Sequence, residues 1–178
     1  MKVLTVVRAV AVVCIGLLAG IYLADRASAA ARAALDPSSF VAFQQTVHVT
    51  YVRMMPPLVI SAILAVAVWL FSVRSQWRGA EFWLVATSAC AIVAATAMTR
   101  AVNVPLNNLL MTWSAAAPPA NLKELWAPWE RVDAVRTTLA MGAFVLQALA
   151  LCFNAPGTAP SSPSTAAPDD RSASAGGA

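Results

Sequence analysis

The side chains that can do chemistry lie mostly in two parts of this 178-residue chain. The first part surrounds His48, with Gln44 four residues before it and Tyr51 three residues after it. Residues at these spacings share one face of a helix, so the three side chains should project together. A histidine exchanges a proton near neutral pH and can serve as a general base. A lone histidine on an apolar helix is also commonly a hydrogen-bonded packing residue, so both interpretations stay open.

The second part is the stretch from residue 99 to residue 136, which is rich in Asn, Trp and Arg. Pro105 disfavours a helical conformation at the residue before it, so the third hydrophobic helix should stop or break there. Asn103, Asn107 and Asn108 can satisfy the backbone groups that a broken helix leaves free near the membrane boundary. Such capping explains the asparagines as well as a functional role does.

Aromatic and charged residues follow in the same stretch. Trp113, Trp126 and Trp129 either belong to the aromatic belt of a membrane interface or form a flat wall for a planar substrate. Asp133 and Arg136 continue the helix face of Trp129 at four- and three-residue steps. Asp133 either forms a solvated pair with Arg136 or orients another functional group.

The composition places the chain in a membrane. Hydrophobic residues make up 60% of the sequence and charged residues 11%, whereas soluble domains carry about 25% charged residues. The net charge of +4 comes from scattered Lys and Arg without a basic run, which argues against a nucleic-acid partner. The three cysteines lie in separate apolar segments with no CxxC pair, so we expect neither a disulfide nor a metal site.

Four apolar segments predict an all-α fold, a bundle of four transmembrane helices. They cover residues 3–23, 58–73, 82–99 and 137–153. The second helix should extend back to Phe40, and a long loop should join the third and fourth helices. We expect a four-helix membrane domain over residues 1–153 and a disordered Pro/Ser/Ala-rich tail over residues 154–178.

Prolines and caps suggest where individual helices begin. Pro56 and Pro57 should kink the second helix or restart it. Pro128 suits the first turn of the fourth helix, since that turn does not need its missing N–H group. Asn121 and Glu124 resemble a capping box for a separate short helix before it.

The first segment has two features of its own. Arg8 lies near enough to the end of the segment for its side chain to reach the membrane interface. The rival interpretation of the segment is a signal peptide cleaved at Ala27-Ser28-Ala29. The apolar run is longer than a normal signal-peptide core, which favours a membrane helix.

Three segments together resemble the anthrone-oxygenase-like family. They are FQQTVHVTYVRMMPP (residues 43–57), PLNNLLMTW (residues 105–113) and WAPWERVDAVR (residues 126–136). The resemblance covers residues 5–153. Members are small four-helix integral membrane proteins, and most bacterial members are known only as a domain of unknown function. The resemblance implies a multi-pass protein of the bacterial plasma membrane.

The resemblance also implies a chemistry. Characterised fungal members oxidise an anthrone to an anthraquinone with molecular oxygen and are not known to need a metal or a flavin. We therefore expect a lipophilic phenolic or anthrone-type substrate, molecular oxygen and no cofactor. The expected catalytic residues are His48 as the base, with Asn107 and Arg136 as stabilisers of an oxyanion.

The remaining positions are expected to bind the substrate. They are Gln44, Phe43, Tyr51, Asn103, Trp113, Trp129 and Arg131. Asp133 departs from the family pattern, in which a neutral or basic polar residue is expected at that place.

The alternative function is a non-catalytic membrane protein for envelope assembly or partner binding. A transporter or channel is the least favoured, because four helices without internal repeats offer little pathway. The oxidase hypothesis predicts that His48 and Asn107 meet in one cavity. The binding hypothesis predicts polar residues that satisfy one another and leave no substrate-sized cavity. The substrate, the membrane orientation and the oligomeric state stay open, and an oligomer is compatible with the sequence.

Overall fold

The computed structural model describes residues 2–153. The disordered tail expected over residues 154–178 lies outside the described residues. The helices and helical turns are α1 (Lys2–Ala27), α2 (Ala29–Ala33), α3 (Pro37–Val73), a 3₁₀ turn (Arg74–Gln76), α4 (Ala80–Met98), a π-helical turn (Thr99–Asn103), α5 (Val104–Leu110) and α6 (Leu122–Cys152). The predicted all-α fold is confirmed.

Four stretches are long and apolar enough to cross a membrane, and each contains one long helix. They are Val3–Ala33, Pro37–Gln76, Ala80–Leu110 and Leu122–Cys152. This finding confirms the predicted bundle of four transmembrane helices. The chain is therefore a multi-pass integral membrane protein.

Helix α3 is much longer than a bilayer is thick. Its 37 residues extend over about 55 Å, against a hydrocarbon core of about 30 Å. Counted back from Val73, the last residue of α3, the hydrocarbon core takes about 20 residues and ends near Met54. The first half of α3 therefore lies outside the hydrocarbon. It corresponds to the extension of the second helix that the sequence predicts.

Asp36 determines where α3 begins. Its Oδ1 accepts hydrogen bonds from the backbone N–H groups of Ser38 and Ser39, both at 3.1 Å. This is the usual N-cap arrangement, with Pro37 in the first helical turn. Hydrogen bonds from the side chain and backbone of Ser39, and from the backbone of Ser38, hold the pKa of the Asp36 carboxyl below its ordinary value.

Pro56 and Pro57 lie inside α3, and the helix continues through both. Of the two expected outcomes, a kink or a restart, the restart is wrong. The two prolines remove the usual i→i−4 donors to the carbonyls of Val52 and Arg53. Transmembrane helices tolerate this loss where neighbouring helices and polar groups can satisfy the freed carbonyls.

The third transmembrane stretch changes its winding near Pro105 and does not stop there. The π-helical turn Thr99–Asn103 joins α4 to α5, and Pro105 occupies the first turn of α5. Proline is well tolerated at that place because the first turn does not use its N–H group. A π-helical turn inserts one extra residue into a helix and rotates the next turns about the helix axis, and such turns are frequent at functional sites.

The fourth helix begins earlier than the sequence suggested. It starts at Leu122, so Pro128 lies in its second turn and the expected start near Pro128 is wrong. The expected capping box does not form either. Asn121 has φ −100° and ψ 29°, and its side chain makes no cap hydrogen bond. A capping side chain needs extended backbone at that position.

Two hydrophobic clusters hold the helices together. The larger one, the bundle core, joins α1, α3, α4 and α6 and includes the fully buried Ile15, Trp69 and Ile92. The smaller one, the cap core, consists of Phe40, Val41, Leu110, Leu122, Trp126 and Trp129, with Leu106, Trp113 and Ala115 packed against it. The cap core joins the start of α3 to α5 and the start of α6, outside the hydrocarbon.

The long connection after α5 rests on the start of α3. Gln45 Nε2 donates to the carbonyls of Leu110 and Trp113 at 3.0 and 2.9 Å, and Ser38 Oγ donates to the carbonyl of Ala115 at 2.5 Å. The two long connections therefore lie at the same end of the bundle.

At the other end, Arg8 forms a partly buried ion pair. Its Nη2 lies 2.6 Å from Glu81 Oε1, to which the buried Trp69 indole also donates at 2.8 Å. The expectation that Arg8 reaches the membrane interface stays a prediction, and its partner Glu81 lies in the first turn of α4, at this end of the bundle. The carboxylate on α4 binds the guanidinium between the helices, and the group thereby joins α1, α3 and α4.

Candidate functional site

A cavity of about 400 Å³ lies between the bundle core and the cap core. Ligand cavities in proteins are typically about 300–1,000 Å³. Residues of α1, α3, α4, the π-helical turn, α5 and α6 line it. They are Tyr22, Asp25, Gln44, Val47, His48, Tyr51, Val52, Met55, Pro56, Val59, Ile60, Thr96, Thr99, Arg100, Val104, Asn107, Asn108, Leu110, Trp126, Trp129 and Arg136.

Helix α3 supplies one wall with the predicted spacing. Gln44, His48 and Tyr51 share a face of the helix, and all three line the cavity. Gln44 is buried, at 5% exposure, and His48 and Tyr51 are half-buried. The Gln44 amide and the His48 imidazole form no hydrogen bond with any group in residues 2–153. Both are therefore available to a molecule in the cavity.

Helix α5 supplies the facing polar group, Asn107. Its Oδ1 accepts a hydrogen bond from the Trp129 indole at 2.8 Å. Its amide nitrogen donates to no group in the described part of the chain, so it can donate to a molecule in the cavity. Asn103, one turn earlier and fully buried, donates to the Trp129 carbonyl at 3.3 Å. Both asparagines therefore bind α6, and Asn103 does so from outside the cavity.

Two tryptophans of α6 form an aromatic wall. The rings of Trp126 and Trp129 are stacked, with centroids 4.9 Å apart and planes at 17°. Both rings line the cavity. Trp113 packs edge-on against Trp126 at 6.4 Å and lies against the cap core. A stacked aromatic wall suits a planar ligand.

Arg136 lies on the same wall, in a buried ion pair. Its Nε and Nη2 donate to Asp133 Oδ1 at 3.0 and 2.8 Å. Asp133 is 0% exposed, so the pair is buried and the solvated interpretation of it is wrong. The guanidinium lies over the rings of Tyr22 and Trp129, at 4.6 and 5.2 Å from their centroids. Its third nitrogen, Nη1, donates to no group in residues 2–153.

The ion pair extends into a larger group of charges at the end of α1. Arg136 Nη2 lies 3.8 Å from Asp25 Oδ2. Asp25 Oδ1 accepts from Arg32 Nη1 at 3.1 Å, and Arg32 Nη2 reaches Glu130 at 3.4 Å. Asp25, Arg32, Asp133 and Arg136 are all buried. Two carboxylates and two guanidiniums balance in charge, which makes their burial tolerable.

The structure brings together six of the ten predicted site residues. The cavity is lined by His48, Asn107, Arg136, Gln44, Tyr51 and Trp129. It is not lined by Asn103, Trp113, Phe43 and Arg131. Of these four, Phe43 and Arg131 are exposed. Their expected roles in binding remain predictions.

Sequence reasoning missed Tyr22, Asp25 and Arg100, which also line the cavity. A signal was present for the first two, because a Tyr and a charged Asp stand three residues apart at the end of an apolar helix. Charged residues inside membrane segments are commonly functional. In residues 2–153, no three His, Cys, Asp or Glu side chains are grouped so that they could hold a metal ion together.

Comparison with known proteins identifies one family. The family model described as anthrone oxygenase matches residues 43–146, which is more than half of the chain. The matched region includes α3 from Phe43 onward and most of α6. The resemblance seen in the sequence motifs is thereby confirmed. No curated protein and no solved structure matches the chain.

Proposed function

This chain belongs to the anthrone oxygenase family, and on that premise we propose that it oxidises a lipophilic phenolic or anthrone-type molecule with molecular oxygen. We place this activity in the bacterial plasma membrane. One observation carries the proposal: the uncommitted imidazole of His48 and the uncommitted amide of Asn107 line the same cavity. A base and an oxyanion stabiliser at one site are what the chemistry requires.

The reaction proceeds from a carbon acid. The ring CH₂ group of an anthrone is acidic because its anion is a phenolate-like enolate. His48 takes one proton from this carbon, and the anion then reduces oxygen and forms a carbon–oxygen bond, which gives a peroxide. The protonated His48 returns its proton to the peroxide. Loss of the second C–H proton then breaks the O–O bond and forms the new carbonyl. One substrate and one O₂ give one quinone and one water.

Three other polar groups support the proposal as stabilisers of charge on the substrate oxygen. The amide nitrogen of Asn107 and Nη1 of Arg136 are both free to donate, and Gln44 lies one turn from His48. Donors fixed before the reaction stabilise a developing oxyanion without having to reorient. The stacked Trp126 and Trp129 rings hold the flat face of the substrate.

The test is conversion of an anthrone to its anthraquinone by membranes that contain the protein, compared with empty membranes. We expect His48→Ala to lower the rate by about 10²-fold or more, the usual contribution of a general base. Asn107→Ala should also lower it, through loss of the oxyanion donor. Arg53→Ala is the control, because Arg53 is exposed on α3 and lies off the cavity.

Each outcome decides something. Conversion that both substitutions abolish, and that Arg53→Ala retains, supports the proposal. Conversion that survives His48→Ala removes the histidine from the role of base. Conversion equal to that of empty membranes excludes anthrones as substrates and favours the non-catalytic binding function.

A further inference from the structure

We propose that the molecule bound in this cavity is an amphiphile, with a ring at the polar end and a hydrocarbon tail along α3 between Met55 and Ile60. The identity of the ring rests on the proposed function. The tail subsite rests on the shape and polarity of the cavity alone.

Residues along much of α3 line the cavity, and their polarity changes along the helix. Its lining on this helix extends from Gln44 to Ile60, 16 residues later, which is about 24 Å at the α-helical rise. The first half presents Gln44, His48 and Tyr51. The second half presents Met55, Val59 and Ile60 with no polar side chain of α3 among them. A ring at the polar end leaves the second half unoccupied.

Helix α4 and the π-helical turn also line the cavity, through Thr96, Thr99 and Arg100. The two threonines donate their hydroxyls to backbone carbonyls of their own helical stretch, both at 2.8 Å. The Thr99 side chain is also hydrogen-bonded to Tyr22. Both hydroxyls therefore have partners within the protein and need none from a ligand. Arg100 is exposed. The apolar lining of the second half is therefore the one that α3 provides, Met55, Val59 and Ile60.

The change in polarity falls at the membrane boundary. The hydrocarbon core ends near Met54 by the length of α3. The polar half of the cavity thus lies outside the hydrocarbon and the apolar half inside it. Ile60, on the hydrocarbon side of Met54, is 57% exposed, so the lining of the cavity continues onto the lipid-facing surface. An amphiphile in the bilayer already has this orientation.

Binding of the tail must be measured relative to the bilayer. A tail that moves from lipid into the groove leaves one apolar environment for another and gains little hydrophobic energy. Its preference for the groove comes from packing contacts. Ligand amounts are therefore expressed as mole fractions of the lipid, which removes the effect of simple partitioning.

The experiment uses the full chain in lipid bilayers and a hydroquinone whose octyl chain ends in a photoreactive diazirine. After illumination, labelled residues are located by mass spectrometry. We expect labels on the peptide that contains Met55–Ile60 and expect an excess of the unlabelled octyl compound to suppress them. Methyl hydroquinone, which has the ring alone, should suppress them less at an equal mole fraction.

A matched pair of substitutions tests the location. Ile60 and Leu64 are both on α3, at 57% and 60% exposure, but only Ile60 lines the cavity. Ile60→Trp should lower suppressible labelling by about fivefold or more, which corresponds to about 1 kcal/mol, since the larger ring fills groove space that the tail would occupy. Leu64→Trp should leave it unchanged. Ile60→Ala provides a second variant that opens the groove and should retain the labelling.

The outcomes separate this inference from the oxidase proposal, because labelling measures occupancy and conversion measures chemistry. Suppressible labels at Met55–Ile60 without anthrone conversion support the tail subsite and count against the oxidase. Labels spread over lipid-facing positions such as Leu64, or equal effects of the two Trp substitutions, overturn the tail subsite.

Discussion

Arg136 attracts two buried carboxylates, so its removal should destabilise the protein more than removal of Asp133. Its Nη2 lies 2.8 Å from Asp133 Oδ1 and 3.8 Å from Asp25 Oδ2. At an effective dielectric constant of about 20, the gross Coulomb attraction is about 6 kcal/mol for the first pair and about 4 kcal/mol for the second. Without Asp133, Arg136 keeps Asp25. Without Arg136, Asp133 has no other ion-pair partner in residues 2–153.

We expect Arg136→Met to cost about 3–5 kcal/mol, the range for breaking a buried pair by removing one partner. For a chain of this size, that lowers Tm by roughly 6–20 °C. Asp133→Leu should cost less. The double substitution Asp133→Leu/Arg136→Met should cost less than Arg136→Met alone, because no unpaired charge then stays at position 133.

The assay is thermal unfolding in detergent micelles, followed by circular dichroism of the helices. Arg53→Met is the control and should change stability by less than about 0.5 kcal/mol, since Arg53 is exposed. Equal losses for Asp133→Leu and Arg136→Met would refute the role assigned to Asp25. A double variant less stable than Arg136→Met would refute the buried-pair reasoning as a whole.

Three further predictions use the same unfolding assay. Arg8→Met leaves the buried carboxylate of Glu81 without its cation and should lower the free energy of unfolding by about 3 kcal/mol or more. The double variant Arg8→Met/Glu81→Leu should recover part of this stability, and no recovery would count against the role of the pair. Ser88→Ala removes the hydroxyl to which Gln147 donates at 2.9 Å. This should lower the free energy of unfolding by about 0.6 kcal/mol and by no more than about 1.7 kcal/mol, as for other hydrogen bonds between membrane helices. A larger loss would indicate repacking of the bundle. The pKa of Asp36 is lowered in the folded chain. The contribution of Asp36 to stability is therefore present above its unfolded pKa and is lost as the pH falls through its folded pKa. Asp36→Asn should retain the cap and flatten the acid side of the Tm–pH profile, and an unchanged profile would contradict this.

Local periodicity was enough to predict one wall of the site. Gln44, His48 and Tyr51 lie on one face because helical spacing puts them there, whatever the rest of the fold does. The same holds for Asp133 and Arg136. The number of transmembrane helices could be predicted just as directly, because each membrane crossing needs its own apolar run of about 20 residues.

Contacts between distant segments could not be predicted from the sequence. Arg8 lies 73 residues before Glu81, so nothing local indicates that the two pair. Asp25 and Arg32 are closer, but their contact depends on how the chain turns at Ser28, whose hydroxyl accepts from Arg32 at 2.6 Å. The burial of Asp133 was missed for the same reason, because burial depends on three-dimensional packing.

The predicted helix boundaries were wrong where a local sequence rule competed with packing. Pro128 fits a first turn by rule, yet α6 begins at Leu122, because Leu122 and Trp126 are buried in the cap core and the helix must extend to place them there. Pro56 fits a break by rule, yet α3 continues and Pro56 lines the cavity. In α6 the burial of Leu122 and Trp126 outweighs the local cost of the proline. In α3 no residue between Gln44 and Ala62 is buried, and the continuity of the helix there follows the general tolerance of membrane helices for proline.

The position of the site at the membrane boundary explains how charges and an apolar groove share one wall. Burying Asp25, Arg32, Asp133 and Arg136 in the middle of the hydrocarbon would carry a large desolvation cost. Near the boundary that cost falls, and the four charges can balance one another. The first half of α3 covers this end of the bundle outside the hydrocarbon and carries Gln44 and His48. Ile60, further along the same helix, lines the cavity where it meets the lipid. A second helix that began at the hydrocarbon boundary would lack Gln44, His48 and Tyr51, and with them the polar wall that α3 gives the cavity.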